Sequence, residues 1–364
     1  MKKSCRITKK KVSLHTKMNA MMEQQNQYVK QFPELMKGKT VMYVHGFGSS
    51  GQSGTVTRLR TILPNAKVIA PDLPVHPEEA QALLRELCDT EKPDLILGTS
   101  MGGMYTEQLY GFDRICMNPA LCIADTMQAH GLTGTQTFQN PRLDGVQQFY
   151  VDKAMVKEYR QVSEQRFSGL EALSGAALAK EKSRVYGLFG DQDDIVDTFD
   201  LFREHYPQAA HFHGEHRMDD RSFMHAVVPV IRWIDDLQEQ RQRPIIYIGV
   251  ETLRDAYDKP TSSSQKAVRL LIEHYQVFFV GEDDYPTENR WGQWLEEYIN
   301  VPAWQHTIFT PRRDLLYGDY LIERKEESDK RKEGDTMATL LEFGSDTFKT
   351  WEDIIEYFSR LGGQ

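Results

Sequence analysis

From Thr40 onward, short apolar runs alternate with stretches of helical periodicity, the runs being Val41–Val44, Val68–Ala70, Leu95–Leu97, Ile115–Met117 and Val185–Phe189. Strands with one face in water alternate apolar and polar residues. These runs do not, so both of their faces are expected to be covered, as in a parallel sheet wound from βαβ units. The rhythm loosens between Thr133 and Ser174, where a Thr/Gln/Asn loop precedes helical segments such as Lys153–Ser163, a candidate small lid. A helix from His225 to about Leu237 closes this unit, and the polar stretch Gln238–Pro244 reads as a connector.

A second, shorter βα rhythm follows: Ile245–Ile248, a helix near Lys266–Tyr275, Val277–Val280, a helix around Trp291–Tyr298 and a strand-like His306–Phe309. Glu326–Asp335 reads as a charged loop and Trp351–Leu361 as an amphipathic helix. The 364 residues exceed the roughly 250–300 that one core usually organises, so two cores are expected. The expected organisation is an N-terminal helical extension over 1–37, an α/β domain over 38–240 and a smaller α/β domain over 244–364. Within the extension, the basic run Lys2–Lys11 is expected to fray in solvent, and a more ordinary helical stretch begins at Met18.

The chemistry concentrates at Gly98-Thr99-Ser100-Met101-Gly102, a G-x-S-x-G placed where a buried strand gives way to a helix. Taken alone, the pattern also describes an ordinary glycine turn. At this junction it reads as a nucleophile elbow: a strained turn projects the Ser100 oxygen above the sheet, and Gly98 and Gly102 leave room for the neighbouring strand and helix. The helix start behind Ser100 directs N–H groups and a positive dipole end at an oxyanion formed there. His45-Gly46-Phe47-Gly48-Ser49-Ser50 follows the first strand and is suited to supply a second donor, which makes the Phe47 and Met101 N–H groups the candidate oxyanion hole. His45 itself reads as a loop-structuring residue.

Downstream, Gly190-Asp191-Gln192-Asp193-Asp194-Ile195-Val196 ends a strand in an acidic turn. The G-x-x-D-x-x-V spacing favours Asp193 as the triad acid, with Asp191, Asp194 and Asp197 as rivals. His216, in the G-x-H turn Gly214-Glu215-His216, is the candidate base, and His225, inside a helical stretch, its competitor. The chain order Ser, Asp, His is that of α/β-hydrolases. His216 would take the Ser100 proton and pass it to the leaving group, while Asp193 holds the imidazole tautomer.

With these motifs in view, residues 43–233 resemble the α/β-hydrolase superfamily and, within it, the compact bacterial esterases of the YqiA type. The resemblance rests on HGFGSS at 45–50, GTSMGG at 98–103, the D-x-D-x-x-V turn and the late G-x-H. It implies hydrolysis of acyl esters or thioesters with small acyl groups, with no metal or organic cofactor. A non-catalytic scaffold with vestigial sites and an acyl transferase are the alternatives.

From Pro244 to Leu361 the chain resembles the haloacid-dehalogenase-like phosphatases, in particular their 5′-nucleotidase branch, through Ile245–Thr252, Thr310–Glu323 and Phe343 with Trp351. That chemistry needs a D-x-D pair and an acidic pair for Mg²⁺. Here Gly249 and Glu251 occupy the first pair and Glu323-Arg324 the second, so the resemblance implies a pseudo-enzyme domain. Arg312 and Arg313 remain candidates for binding a phosphate without hydrolysing it.

The net charge of −9 disfavours a general nucleic-acid or anionic-membrane binder. No apolar run approaches the roughly 20 residues of a membrane span, and the N-terminus lacks the apolar stretch of a signal peptide. A cytoplasmic protein is expected, acting on a small-molecule acyl ester or thioester and compatible with homo-oligomerisation. Cys5, Cys88, Cys116 and Cys122 lack metal-ligand spacing and read as reduced, structural thiols.

Overall fold

In a computed structural model, which describes residues 29–282, 290–328 and 336–361, the chain divides between Asp235 and Asp236 into two compact units. The first contains strands β1 (Thr40–Val44), β2 (Lys67–Ile69), β3 (Leu95–Thr99), β4 (Arg114–Met117), β5 (Gly134–Thr137), β6 (Gln148–Val151), β7 (Val185–Gly190) and β8 (Ala209–Phe212). Six of these form one parallel sheet in the order β2-β1-β3-β4-β7-β8. Four of the unalternating runs occupy the middle strands as expected, with Val41, Met42, Val44, Leu95, Ile96 and Leu97 fully buried, whereas the run Val68–Ala70 forms the half-buried edge strand β2, which has a neighbour on one side only. Because every strand points the same way, the loops leaving β1, β3, β4, β7 and β8 emerge along one edge of the sheet.

Helix Met101–Glu107, which follows β3, is pinned at its far end by a buried polar cluster. The Tyr206 hydroxyl donates to Glu107 Oε1 at 2.6 Å, and the Phe167 N–H donates to the same carboxyl. Arg114, fully buried at the start of β4, donates to the Glu107 carbonyl and pairs with Glu181. Burial holds the Glu107 carboxyl above the ordinary glutamate range, against the pull of Tyr206 and Arg114.

The stretch 133–174 is more ordered than the sequence suggests. It opens on an antiparallel hairpin of β5 and β6, followed by helices Lys153–Ser163 and Ser168–Glu171. Its first strand, GTQT, is polar, while its second, QFYV, is short and buries Val151 in the core. The helix expected from His225 starts earlier, as an α-helical turn, Asp220–Ser222, capped by Asp219, and passes through a π-helical turn, Phe223–Val227, into the α-helix Val228–Gln238. Pro229, lacking an N–H and crowding the carbonyl four residues back, explains the widened turn.

The basic run, the stretch from Met18 and Cys5 lie outside the described residues. The described part of the expected helical extension is not helical. Residues 33–38 form turns that bury Leu35 and Met36, with Pro33 and the positive φ of Gly38 (74°) opposing a helix. Cys88, Cys116 and Cys122 are free thiols, the first two buried. Among the described residues, no helix is long and apolar enough to cross a membrane.

The second unit contains β9 (Ile245–Gly249), β10 (Gln276–Gly281), β11 (Thr307–Phe309), β12 (Tyr320–Arg324) and β13 (Thr339–Phe343), all parallel, in the order β11-β10-β9-β12-β13. Helices Ser262–His274 and Trp351–Arg360 bury Val268, Leu271, Ile354 and Phe358 in its core. The expected loop from Glu326 is in part the short helix Lys325–Ser328, its remainder lying outside the described residues.

In the first unit, the loop leaving β1 is fixed by His45, whose ring is buried. Nε2 accepts from the Leu73 N–H at 3.0 Å and Nδ1 donates to the Gly46 carbonyl at 2.8 Å, so the neutral Nδ1–H tautomer is the one that satisfies both partners. Burial pushes the imidazole down from 6.5 to about 4. The unfolded chain therefore takes up this proton first, and stability is lost as the pH falls from about 6.5 towards 4, by roughly 3 kcal/mol. In urea titrations across that range, wild type is expected to converge on His45→Gln, which starts less stable at neutral pH but lacks this dependence. A constant gap between the two would refute the assignment.

Candidate active site

β3 runs straight into Ser100, whose backbone sits at φ 56°, ψ −121°, a region that L-residues rarely adopt. Its neighbours hold it there. A Cβ on Gly98 would lie 2.2 Å from the Gly102 carbonyl oxygen, and one on Gly102 would lie 2.1 Å from that of Val44, so the elbow closes only with glycine at both positions. Gly46 approaches from the other side, where an added Cβ would stand 3.3 Å from that of Ser100. The Ser100 N–H donates to the Met117 carbonyl at 2.9 Å, and its own carbonyl accepts from Met104 at 3.1 Å and Ala120 at 3.0 Å.

The three residues singled out for the triad come together. His216 Nε2 lies 3.0 Å from Ser100 Oγ, and its Nδ1 lies 2.7 Å from Asp193 Oδ2. Asp193 Oδ1 accepts from the Ile195 N–H at 2.8 Å and the Val196 N–H at 3.0 Å. The side chain of Asp193 is only 3% exposed and that of His216 12%, so bulk water does little to screen the pair. Burial pushes the Asp193 carboxyl up, but the hydrogen bonds from His216, Val196 and Ile195 outweigh it and leave the group below the ordinary aspartate range. It is a carboxylate at neutral pH, with one oxygen held by backbone and the other free to orient the imidazole.

The rivals fall elsewhere. Asp191 accepts from the Gly214 N–H at 3.0 Å and meets His213 at 3.1 Å, tying the histidine loop down. Asp194 and Asp197 are exposed, and His225 lies in the π-helical turn. Among the described residues, the N–H groups of Phe47 and Met101 donate to no protein acceptor, and Met101 opens the helix behind Ser100.

The hairpin loop spans the two sides of this site. Gln139 donates from its N–H to the Gly48 carbonyl at 2.8 Å, Asn140 to Ser49 Oγ at 3.1 Å, and Ser50 Oγ to the Pro141 carbonyl at 2.7 Å. Arg217, next to His216, donates to the Gln139 side chain at 3.0 Å. The Phe47 ring packs edge-on against Phe149 and Tyr159 at 5.3 and 6.2 Å. Asn118, which sequence reasoning passed over, is buried between these loops, its amide bonded to Gly190, Glu215 and His216. The only sequence signal was an amide directly after a buried strand.

In the second unit, Gly249 ends β9 and the Glu251 carboxyl folds back over it; a Cβ on Gly249 would lie 2.0 Å from Glu251 Oε1. Buried Arg313 lies 3.4 Å from Glu323 Oε1 and donates to the Thr310 carbonyl at 2.7 Å. Arg324, expected beside the metal seat, instead donates to the carbonyls of Glu251 at 2.8 Å and Arg254 at 3.1 Å, so the cation facing Glu323 is Arg313. Exposed Arg312 pairs with Asp314. With a guanidinium against Glu323 and glycine in the nucleophile position, these residues do not fit the Mg²⁺ site of the phosphatases. Among the described residues, no group of three or more His, Cys, Asp or Glu could hold a metal ion.

Over 107 residues the chain is 24% identical to a putative 5′(3′)-deoxyribonucleotidase of Vibrio phage KVP40, covering 29% of this chain and 61% of that protein. Over 105 residues it is 27% identical to a protein of the same description from Staphylococcus epidermidis, covering 27% and 59%. The chain thus spans about three fifths of the length of the curated relatives it matches. Among solved structures it is similar to Est1E from Butyrivibrio proteoclasticus, with 14% identity over 57% of this chain and 89% of that one, and a TM-score of 0.34. It is also similar to the esterase domain of a Rhodothermus marinus protein, with 16% identity, coverage of 58% and 90%, and a TM-score of 0.34. Residues 40–233, more than half of the chain, match the uncharacterised protein family UPF0227, so the chain belongs to that family, with a parallel α/β unit joined to a second, smaller parallel α/β unit.

Proposed function

We propose that this chain is a serine hydrolase that cleaves carboxylic esters or thioesters carrying small acyl groups. The observation that carries the reading is the hydrogen-bonded line Ser100–His216–Asp193, at 3.0 and 2.7 Å. Ser100 Oγ attacks the acyl carbon as its proton passes to His216 Nε2. The Phe47 and Met101 N–H groups receive the developing oxyanion, each such donor being worth on the order of 10²–10³ in rate. The bond from acyl carbon to the leaving oxygen or sulfur breaks, and His216 returns the proton to the leaving group. Water, deprotonated by His216, then attacks the acyl-enzyme, releasing the acid and regenerating Ser100. Asp193 stays ionised and stabilises the imidazolium. The same reading takes the protein to be cytoplasmic and to need no cofactor.

We infer further that the second unit has no phosphatase chemistry. Supporting this are Gly249, which cannot form a phosphoenzyme, and the pairing of Arg313 with Glu323 where the phosphatases hold a cation.

A fluorophosphonate probe is expected to label the wild type and to leave Ser100→Ala unlabelled. Short-chain nitrophenyl ester turnover is expected to fall by about 10³ or more in His216→Ala and by about 10²–10⁴ in Asp193→Asn. Folded wild type that takes up no probe would overturn the hydrolase reading in favour of a scaffold. For the second unit, Ser100→Ala supplied with Mg²⁺ should turn over neither nitrophenyl phosphate nor a deoxynucleoside monophosphate. Turnover that scales with the purified protein would overturn the pseudo-enzyme reading.

A further inference from the structure

Four loops meet at the reacting serine, and one side chain touches two of them while its own segment is bonded to a third. Asn118 follows β4, between the strands that carry the elbow and the acid. Its side chain is about 1% exposed, and all its polar capacity faces inward. Oδ1 accepts from the Gly190 N–H at 2.7 Å, at the point where β7 hands over to the acid loop. Nδ2 donates to the His216 carbonyl at 3.0 Å and the Glu215 carbonyl at 3.3 Å. An N–H only donates and a carbonyl only accepts, so these partners fix which end of the amide is which.

The flanking backbone reaches the third loop. The Met117 carbonyl receives the Ser100 N–H at 2.9 Å, the Ala120 N–H donates to the Ser100 carbonyl at 3.0 Å, and the Asn118 N–H donates to Leu188 at 2.8 Å. Asn118 also adopts φ 43°, a left-handed conformation that asparagine tolerates better than most residues. Neither that strain nor a buried primary amide is needed to connect one strand to a helix. Both are accounted for if the residue sets where the histidine stands.

We propose that Asn118 is a positioning residue of this hydrolase, clamping the His216 loop to the end of the acid strand so that Nε2 stays within hydrogen-bonding reach of Ser100. The proposal rests on the serine-hydrolase reading. Asn118 touches neither substrate nor reacting atoms and acts through the His216 backbone. Misplacing a reacting group by about 1 Å can cost on the order of 10² in rate, which sets the scale of the effect.

The test is a double-mutant cycle read as the second-order rate of fluorophosphonate labelling, with thermal midpoints recorded alongside. Asn118→Asp keeps the size of the side chain and the acceptor for Gly190 while removing both donors to the histidine loop. Asn118→Gly removes the whole amide and relieves the positive φ. In the wild-type background each is expected to slow labelling by roughly 30–100-fold and to lower kcat for a short-chain ester, with KM held within about threefold. In a His216→Ala background the same substitutions should change the residual labelling rate by less than about threefold, because the residue through which Asn118 acts is gone. Equal losses in both backgrounds, or labelling near the wild-type rate in folded variants, would overturn the proposal. So would failure of both variants to fold, which would make Asn118 a residue of the fold rather than of the histidine. Wild type that does not label would instead overturn the underlying hydrolase reading.

Discussion

The backbone of Ser100 is held where an L-residue does not rest by itself, and the site in the first unit is arranged around that constraint. A conformation of this kind costs on the order of 1–3 kcal/mol and persists only where its surroundings over-determine it. Here β1 presses against Gly102, helix residue Thr106 stands over Gly98, and the β4 loop bonds both the N–H and the carbonyl of the serine. The strain lifts Oγ above the end of β3, and the helix start beneath it supplies N–H groups without further rearrangement. The polar cluster around Glu107 anchors the other end of that helix, so the elbow has a fixed footing on both sides.

Parallel topology then decides what can reach the serine. The loops after β1, β4, β7 and β8 leave the same edge, and each brings one component: the Phe47 loop set by His45, Asn118, the Asp193 turn and the His216 turn. Among the components, Asp193 is a half-buried residue whose carboxylate accepts from two backbone N–H groups. Those two N–H bonds keep its charge in place against the cost of burial, and that charge in turn favours the imidazole orientation needed at Ser100.

Residues with a pattern or a fixed chain order could be read from the sequence. Unalternating apolar runs marked the buried parallel strands, and glycine spacing marked the elbow, because sterics leave no other residue there. Asp193 could be ranked above its neighbours only by its distance from Val196. The structure shows why that distance matters, since the Val196 N–H bonds the carboxylate. Asn118, Arg114 and Glu107 left no such trace, because their partners lie 7 to 99 positions away and a single buried amide or charge has no periodicity. The hairpin was hidden for the related reason that its first strand is polar and its second is only four residues long, too short to set a period. The described end of the N-terminal extension departs from the expected helix, since Pro33, Gly38 and the burial of Leu35 and Met36 favour turns over residues 33–38.

The second unit makes the converse argument about buried charge. A carboxylate enclosed beside a sheet edge is costly unless a cation or a set of donors accompanies it. In the phosphatases that this unit resembles, a metal ion meets that requirement; here Arg313 stands against Glu323, and it also lowers the acidity penalty that burial imposes on Glu251. Such a substitution is self-consistent only as a set. With Arg313 beside Glu323, a nucleophilic aspartate at Gly249 would lack clear space beside the Glu251 carboxyl. The first unit directs its buried charge at a serine across an imidazole, whereas the second sets Arg313 against Glu323.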